Sequence, residues 1–98
     1  MTINKTQEND KLTINIEGRL DTTTAPQLEA EIKNSLDNVK ELVFDIKELE
    51  YISSAGLRVL LSAQKIMNKQ GKMTVKGANE AVTEIFEVTG FVDILNIE

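Results

Sequence analysis

The chain has no cysteine, no histidine and no tryptophan, and only one proline, Pro26. Without cysteine there can be no disulfide, no thiolate nucleophile and no cysteine-based metal site. Without histidine, zinc loses its other usual ligand, and the carboxylates that remain suit harder ions. No metal and no cofactor are therefore expected. A serine nucleophile would also lack the imidazole base that ordinarily activates it. The only aromatic residues are Phe44, Tyr51, Phe86 and Phe91, so the core must rest on Ile, Leu and Val. No apolar run approaches the roughly 20 residues of a membrane span, and the polar opening "MTINKTQEND" lacks the apolar stretch of a signal peptide. Basic residues number 11 against 16 acidic ones, a net charge of −5. That balance disfavours nucleic acid and anionic membrane, which are attracted by clustered Lys and Arg. The expectation is a cytoplasmic protein that touches neither.

What is present is ordinary in bulk and specific in order. The 98 residues fit one domain, residues 1–98. A domain of this size buries roughly two-thirds of the surface of its unfolded chain. There is no internal repeat and no flexible linker. "KLTINIEG" alternates Leu12, Ile14 and Ile16 with polar residues, the period of a strand with one buried face. Gly18 is expected to end that strand, and a weaker segment opening at Ile3 to pair with it as a hairpin. Pro26 suits a first helical turn, and Ala25, Leu28, Ile32 and Leu36 then recur at helical spacing. "KELVFDIKELEYI" carries a near-continuous apolar run, which suits an interior strand covered on both faces. Asp45 within it is expected to accept backbone N–H groups at the strand's end. "SAGLRVLLSAQKIMNKQG" is the longest helix signal. Val59, Leu60, Ala63, Ile66 and Met67 form its apolar sector, while Leu57 and Leu61 fall just outside. "KMTVKG" reads as a strand, "NEAVTEIFEVTG" as a helix, and "FVDILNIE" as a last strand or a frayed tail in which Ile94, Leu95 and Ile97 must pack. Helices alternating with strands imply right-handed crossovers and parallel pairing. The prediction is an α/β fold: a mixed sheet of four to five strands with helices mainly on one side.

The segment "YISSAGLRVLL" (Tyr51 to Leu61) places two serines and two small residues at the start of the long helix. Ser53 or Ser54 is positioned as N-cap. Helix N-termini carry unpaired N–H groups and partial positive charge, which favour phosphate. The segment has two readings on this geometry: a plain serine cap with a glycine for close packing, or a phosphate acceptor in a protein-binding switch and not an enzyme. "SSAGL" is not G-x-S-x-G, and neither a Walker A nor a G-x-G-x-x-G motif occurs.

Three stretches resemble the STAS domain, specifically the stand-alone bacterial anti-sigma factor antagonists. "IEGRLDTTTAPQL" is similar to the family's strand, its G-x-L-D loop and the following helix. "LVFDIKELEYISSAGLRVLL" is similar to the strand ending in Asp, the spacer and the phosphoacceptor segment D-S-[ST]-G-L. "GFVDILNI" resembles the C-terminal pattern. Anchored on Gly56 and Leu57, the acceptor falls on Ser54. Ser53 stands where the family has an acidic residue, and it is the alternative acceptor. Asp21 matches the loop aspartate, which in the family lies near the acceptor and helps bind the kinase. The expected partner-binding set is Asp21, Thr22, Thr23, Ser53, Ser54, Ala55 and Gly56. Leu61 joins it from the helix wheel, as an apolar edge of the serine loop; its other reading is a core residue like Leu57. The resemblance further implies a partner-switching cycle. The unmodified domain binds an anti-sigma factor that is also a serine kinase, phosphorylation releases it, and a serine phosphatase resets it, with ATP held by the kinase. The alternative is a STAS scaffold subunit of a stress-signalling or transport assembly, without its own phosphorylation switch.

Overall fold

In the computed structural model, which describes residues 1–98, the alternating segment is the second arm of a hairpin. β1 (Thr2–Glu8) runs antiparallel to β2 (Lys11–Leu20), with Ile3 opposite Ile16 and Lys5 opposite Ile14. Asn9, at φ 57°, turns the chain between them. Gly18 does not end β2. It sits at φ 95° where the register shifts, a conformation that side-chain-bearing residues avoid, and the strand continues to Leu20. Helix α1 (Ala25–Ser35) follows, with Pro26 in its first turn, and buries Ala25, Leu28 and Ile32. β3 (Glu41–Asp45) is interior, parallel to β2 on one side and to β5 (Lys72–Lys76) on the other. Between β3 and β5 come a short strand β4 (Leu49–Ile52), parallel to β2, and the long helix α2 (Ser54–Gln70). Helix α3 (Glu80–Thr89) and a 3-10 turn (Phe91–Asp93) complete the chain. The sheet has five strands in the order β1-β2-β3-β5, with β4 attached to β2.

Register explains why the helices lie on one side. Leu12, Leu42 and Met73 align across three strands, as do Ile14, Phe44 and Val75, and all six are buried. The flanking rows, Lys11–Glu41–Lys72 and Asn15–Asp45–Lys76, are polar, and the row between, Thr13–Val43–Thr74, carries a single apolar side chain. One sheet face therefore requires a cover, and the helices supply it. A single cluster of 24 buried apolar residues results. Each fully buried Leu, Ile or Phe side chain in it contributes about 1.5–3 kcal/mol.

Several expectations are corrected. β3 is interior but is not covered by a second layer on its other face. Val43 is buried there between the register partners Thr13 and Thr74. "LEYI", within the stretch read as a spacer, is itself a short strand, divided from β3 by a turn in which the Leu49 N–H donates to the Ile46 carbonyl. The buried arc of α2 is wider than the periodicity implied: Leu57 and Gln64 lie inside it, whereas Ile66 is only half-buried. The C-terminus forms the 3-10 turn and an isolated parallel bridge from Ile97 to Val75 in place of a full strand. Leu95 is buried, but Ile94 is exposed. Asp45 behaves as expected, its Oδ1 accepting the Lys47 N–H at 3.2 Å.

Candidate functional site

β4 determines the site. It pairs with the end of β2, so that Leu20 stands beside Ile52, and the Ser53 N–H donates to the Leu20 carbonyl at 2.9 Å. The chain leaves both strands at the same edge. The Asp21 loop and the serine loop, 32 residues apart in sequence, therefore emerge side by side, as expected of functional loops beyond parallel strand ends. Just before them, Arg19 stacks over the Tyr51 ring, 4.6 Å from its centroid, across the same strand pair.

Asp21 organises its own loop. Its Oδ1 accepts the N–H groups of Thr23 at 3.0 Å and Thr24 at 3.2 Å. The Thr24 hydroxyl accepts the Asp21 N–H at 2.9 Å and donates to the Arg19 carbonyl at 2.8 Å. The carboxyl is held below the usual carboxylate range, first by the Thr24 N–H. Partial desolvation opposes this, and the Thr23 N–H, the Thr24 hydroxyl and the Arg19 charge reinforce it. Arg19 Nε lies 3.8 Å from Oδ2. Thr22 and Thr23 are exposed at the tip of the turn. Thr24, which ties the loop to β2, was not singled out from the sequence. Its spacing of three from Asp21, typical of a side-chain-closed turn, was the available signal.

In the serine loop, Ser53 is the N-cap of α2. Its backbone is extended, and its Oγ accepts the Gly56 N–H over a long 3.5 Å. Ser54 is the first helical residue, and it is exposed. The cap and the open hydroxyl are thus two different serines. Ala55 is half-buried, while Gly56 is buried. A Cβ on Gly56 would lie 2.7 Å from Leu20 Cγ and 2.9 Å from Ile52 Cγ1. The glycine lets α2 settle directly onto the β2–β4 pair, and it presents no surface to a partner. Leu57 belongs to the core, whereas Leu61 is half-buried and outside the core cluster. An open groove of about 340 Å³ runs between the two helix starts, with Thr22, Pro26 and Glu29 on one wall and Ala55, Arg58 and Ser62 on the other. No cluster of metal-ligating side chains occurs, and no helix is long and apolar enough to cross a membrane.

The arrangement is a mixed sheet with paired loops at one strand edge and an exposed serine at a helix start. The chain belongs to the STAS domain family, whose sequence pattern matches residues 2–98. It is 38% identical to BtrV of Bordetella bronchiseptica over 84 residues, 84% of this chain and 72% of that protein. It is 32% identical to the anti-sigma-B factor antagonist of Bacillus subtilis over 94 residues, 95% of this chain and 85% of that one. In three dimensions it is similar to an anti-sigma factor antagonist from Mycobacterium paratuberculosis. The TM-score there is 0.89 at 24% identity, covering 98% of this chain and 83% of the other. It also shares the fold of the Bacillus cell fate determinant SpoIIAA in its phosphorylated form. That match has a TM-score of 0.77 at 15% identity and covers 99% and 91% of the two chains.

Proposed function

We propose that this protein is an anti-sigma factor antagonist working in the cytoplasm by partner switching. Unmodified, it binds an anti-sigma factor that is also a serine kinase. Phosphorylated on Ser54, it lets go, and a serine phosphatase restores it. The observation that carries this reading is the position of Ser54: an exposed hydroxyl on the first residue of α2, beside the Asp21 turn.

In the transfer step the Ser54 Oγ attacks the γ-phosphorus of kinase-held ATP. The new O–P bond forms as the bond to ADP breaks, and the hydroxyl proton passes to a base on the kinase. The domain supplies the acceptor and the docking surface, not the catalysis. Asp21, Thr22, Thr23 and Ala55 belong to that surface, with Leu61 as an apolar edge. Ser53 and Gly56 hold the helix start in place. The product carries about −1.5 to −2 additional charges. A phosphate desolvated in an interface costs several kcal/mol unless it is paired, and each 1.4 kcal/mol is a tenfold loss of affinity. A modest mismatch is therefore enough to reverse the choice of partner.

The test is incubation with the anti-sigma factor kinase and ATP, followed by intact-mass and peptide mass spectrometry. One phosphate on Ser54 is expected, absent in Ser54→Ala and retained in Ser53→Ala, together with loss of the kinase complex on modification. Stable binding with no phosphate on either serine would favour the scaffold role instead.

A further inference from the structure

The chain has only two arginines, Arg19 and Arg58, among its 11 basic residues, and both flank the serine loop. Arg19 is committed: it stacks on Tyr51 and lies 3.8 Å from the Asp21 carboxylate. Arg58 is exposed and enters no ion pair. Glu29, across the groove from it, is paired with Lys33 at 3.2 Å. For the unmodified helix Arg58 is on the wrong end. It sits in the second turn of α2, near the positive pole of the dipole, and the first turn contains no acidic residue to offset it.

We propose that Arg58 is the counter-ion built into this chain for a phosphate on Ser54, holding it against α2 at the mouth of the groove. The proposal rests on the reading of Ser54 as the acceptor. Residues 54 and 58 are i and i+4 on one helix, with Cβ atoms about 6 Å apart. An anion N-terminal to a cation is the favourable order for such a pair. Helical side chains lean toward the N-terminus, so the long Arg58 side chain is within reach of the turn that bears Ser54. Its planar fork can engage two phosphate oxygens at once, which a lysine cannot do. Pairing has two effects on the surface. The phosphate takes a fixed position at the groove, and the one uncommitted arginine beside the serine is neutralised. Partners then meet a different charge pattern on the α2 wall, not a freely rotating anion.

The experiment uses full-length protein with phosphoserine installed at position 54 during translation, so that no kinase is needed. The phosphate's second ionisation is followed by ³¹P NMR from pH 4.5 to 8 in the parent, Arg58→Gln and Arg58→Lys chains, with far-UV circular dichroism to verify folding. Arg58 favours the dianion, so the parent should ionise at lower pH than Arg58→Gln by about 0.3 unit, the size an exposed i,i+4 ion pair supplies. Arg58→Lys should retain part of that shift, and added salt should reduce it. Equal titrations in parent and Arg58→Gln overturn the proposal. If titrations of the phosphoserine chains are equal and the unmodified Arg58→Gln chain binds the kinase more weakly, Arg58 is a partner contact only. Failure of Ser54 as the acceptor would appear separately, as absence of phosphate after kinase treatment of the ordinary chain.

Discussion

At the scale of single residues, Asp21 and Ser53 do local structural work that leaves their neighbours free. The Asp21 carboxylate closes its turn through two backbone N–H groups, and Ser53 caps α2. Thr22, Thr23 and Ser54 are then presented to solvent with their hydroxyls uncommitted to the fold. Because the folded-state pKa of Asp21 is lowered, its ionised form contributes stability that is fully present above the unfolded value of about 3.9. That contribution is lost as pH falls through the lower folded value. Asp21→Asn keeps an oxygen acceptor but removes the charge. The parent should therefore unfold at a higher temperature than Asp21→Asn above about pH 4, and the two should converge in more acidic solution. Melting curves from pH 7 downward check this, and a gap independent of pH would show that the carboxylate's charge is immaterial to the turn.

Among the elements, β4 has the largest consequence for its length. Four residues, Leu49 to Ile52, bring the loop after β2 and the start of α2 to one edge. α3 packs against it. Asn79 caps α3 by accepting the Val82 N–H at 2.8 Å, and its amide donates to the Leu49 carbonyl at 3.0 Å. One side chain thus terminates a helix and pins the strand that carries the site. Asn79→Ala should lower stability by about 1–2 kcal/mol, the cost of an N-cap together with a lost side-chain hydrogen bond. Urea denaturation measures this as a lower midpoint at unchanged slope. An effect within a few tenths of a kcal/mol would mean that the amide link is dispensable.

For the molecule as a whole, the core and the proposed recognition edge are separate sets of residues. The buried cluster includes Leu57 but not Leu61, although both lie on the same flank of α2. Leu61→Asp should therefore abolish binding to the anti-sigma factor while leaving the unfolding midpoint nearly unchanged. Phe44→Ala, at the centre of the sheet's buried face, should cost about 3–5 kcal/mol. That is a large share of the roughly 5–15 kcal/mol available to a domain. Isothermal titration paired with denaturation of each variant distinguishes the two. Unfolding of Leu61→Asp would assign that leucine to the core instead. The phosphate proposed at residue 54 would be added outside the packed cluster, and so would leave the domain folded.

Much of this was legible in the sequence because it depends on short-range periodicity. Leu12, Ile14 and Ile16 alternate, so β2 has one buried face whatever lies beside it. Ala25, Leu28 and Ile32 recur every three or four residues, so α1 buries one stripe. The order of helices and strands constrains the sheet to be mixed and covered on one side. The serine segment at a helix start was likewise visible as a local pattern. Tertiary structure decided what depends on pairing between distant segments. The burial pattern of β4, with Leu49 and Ile52 inside and Glu50 and Tyr51 out, has no period of two, so only its hydrogen bonds to β2 define it as a strand. Which serine caps and which faces solvent followed from where β4 releases the chain. The juxtaposition of Asp21 with Ser54 followed too, because a parallel register is set by contacts that no local stretch of residues contains.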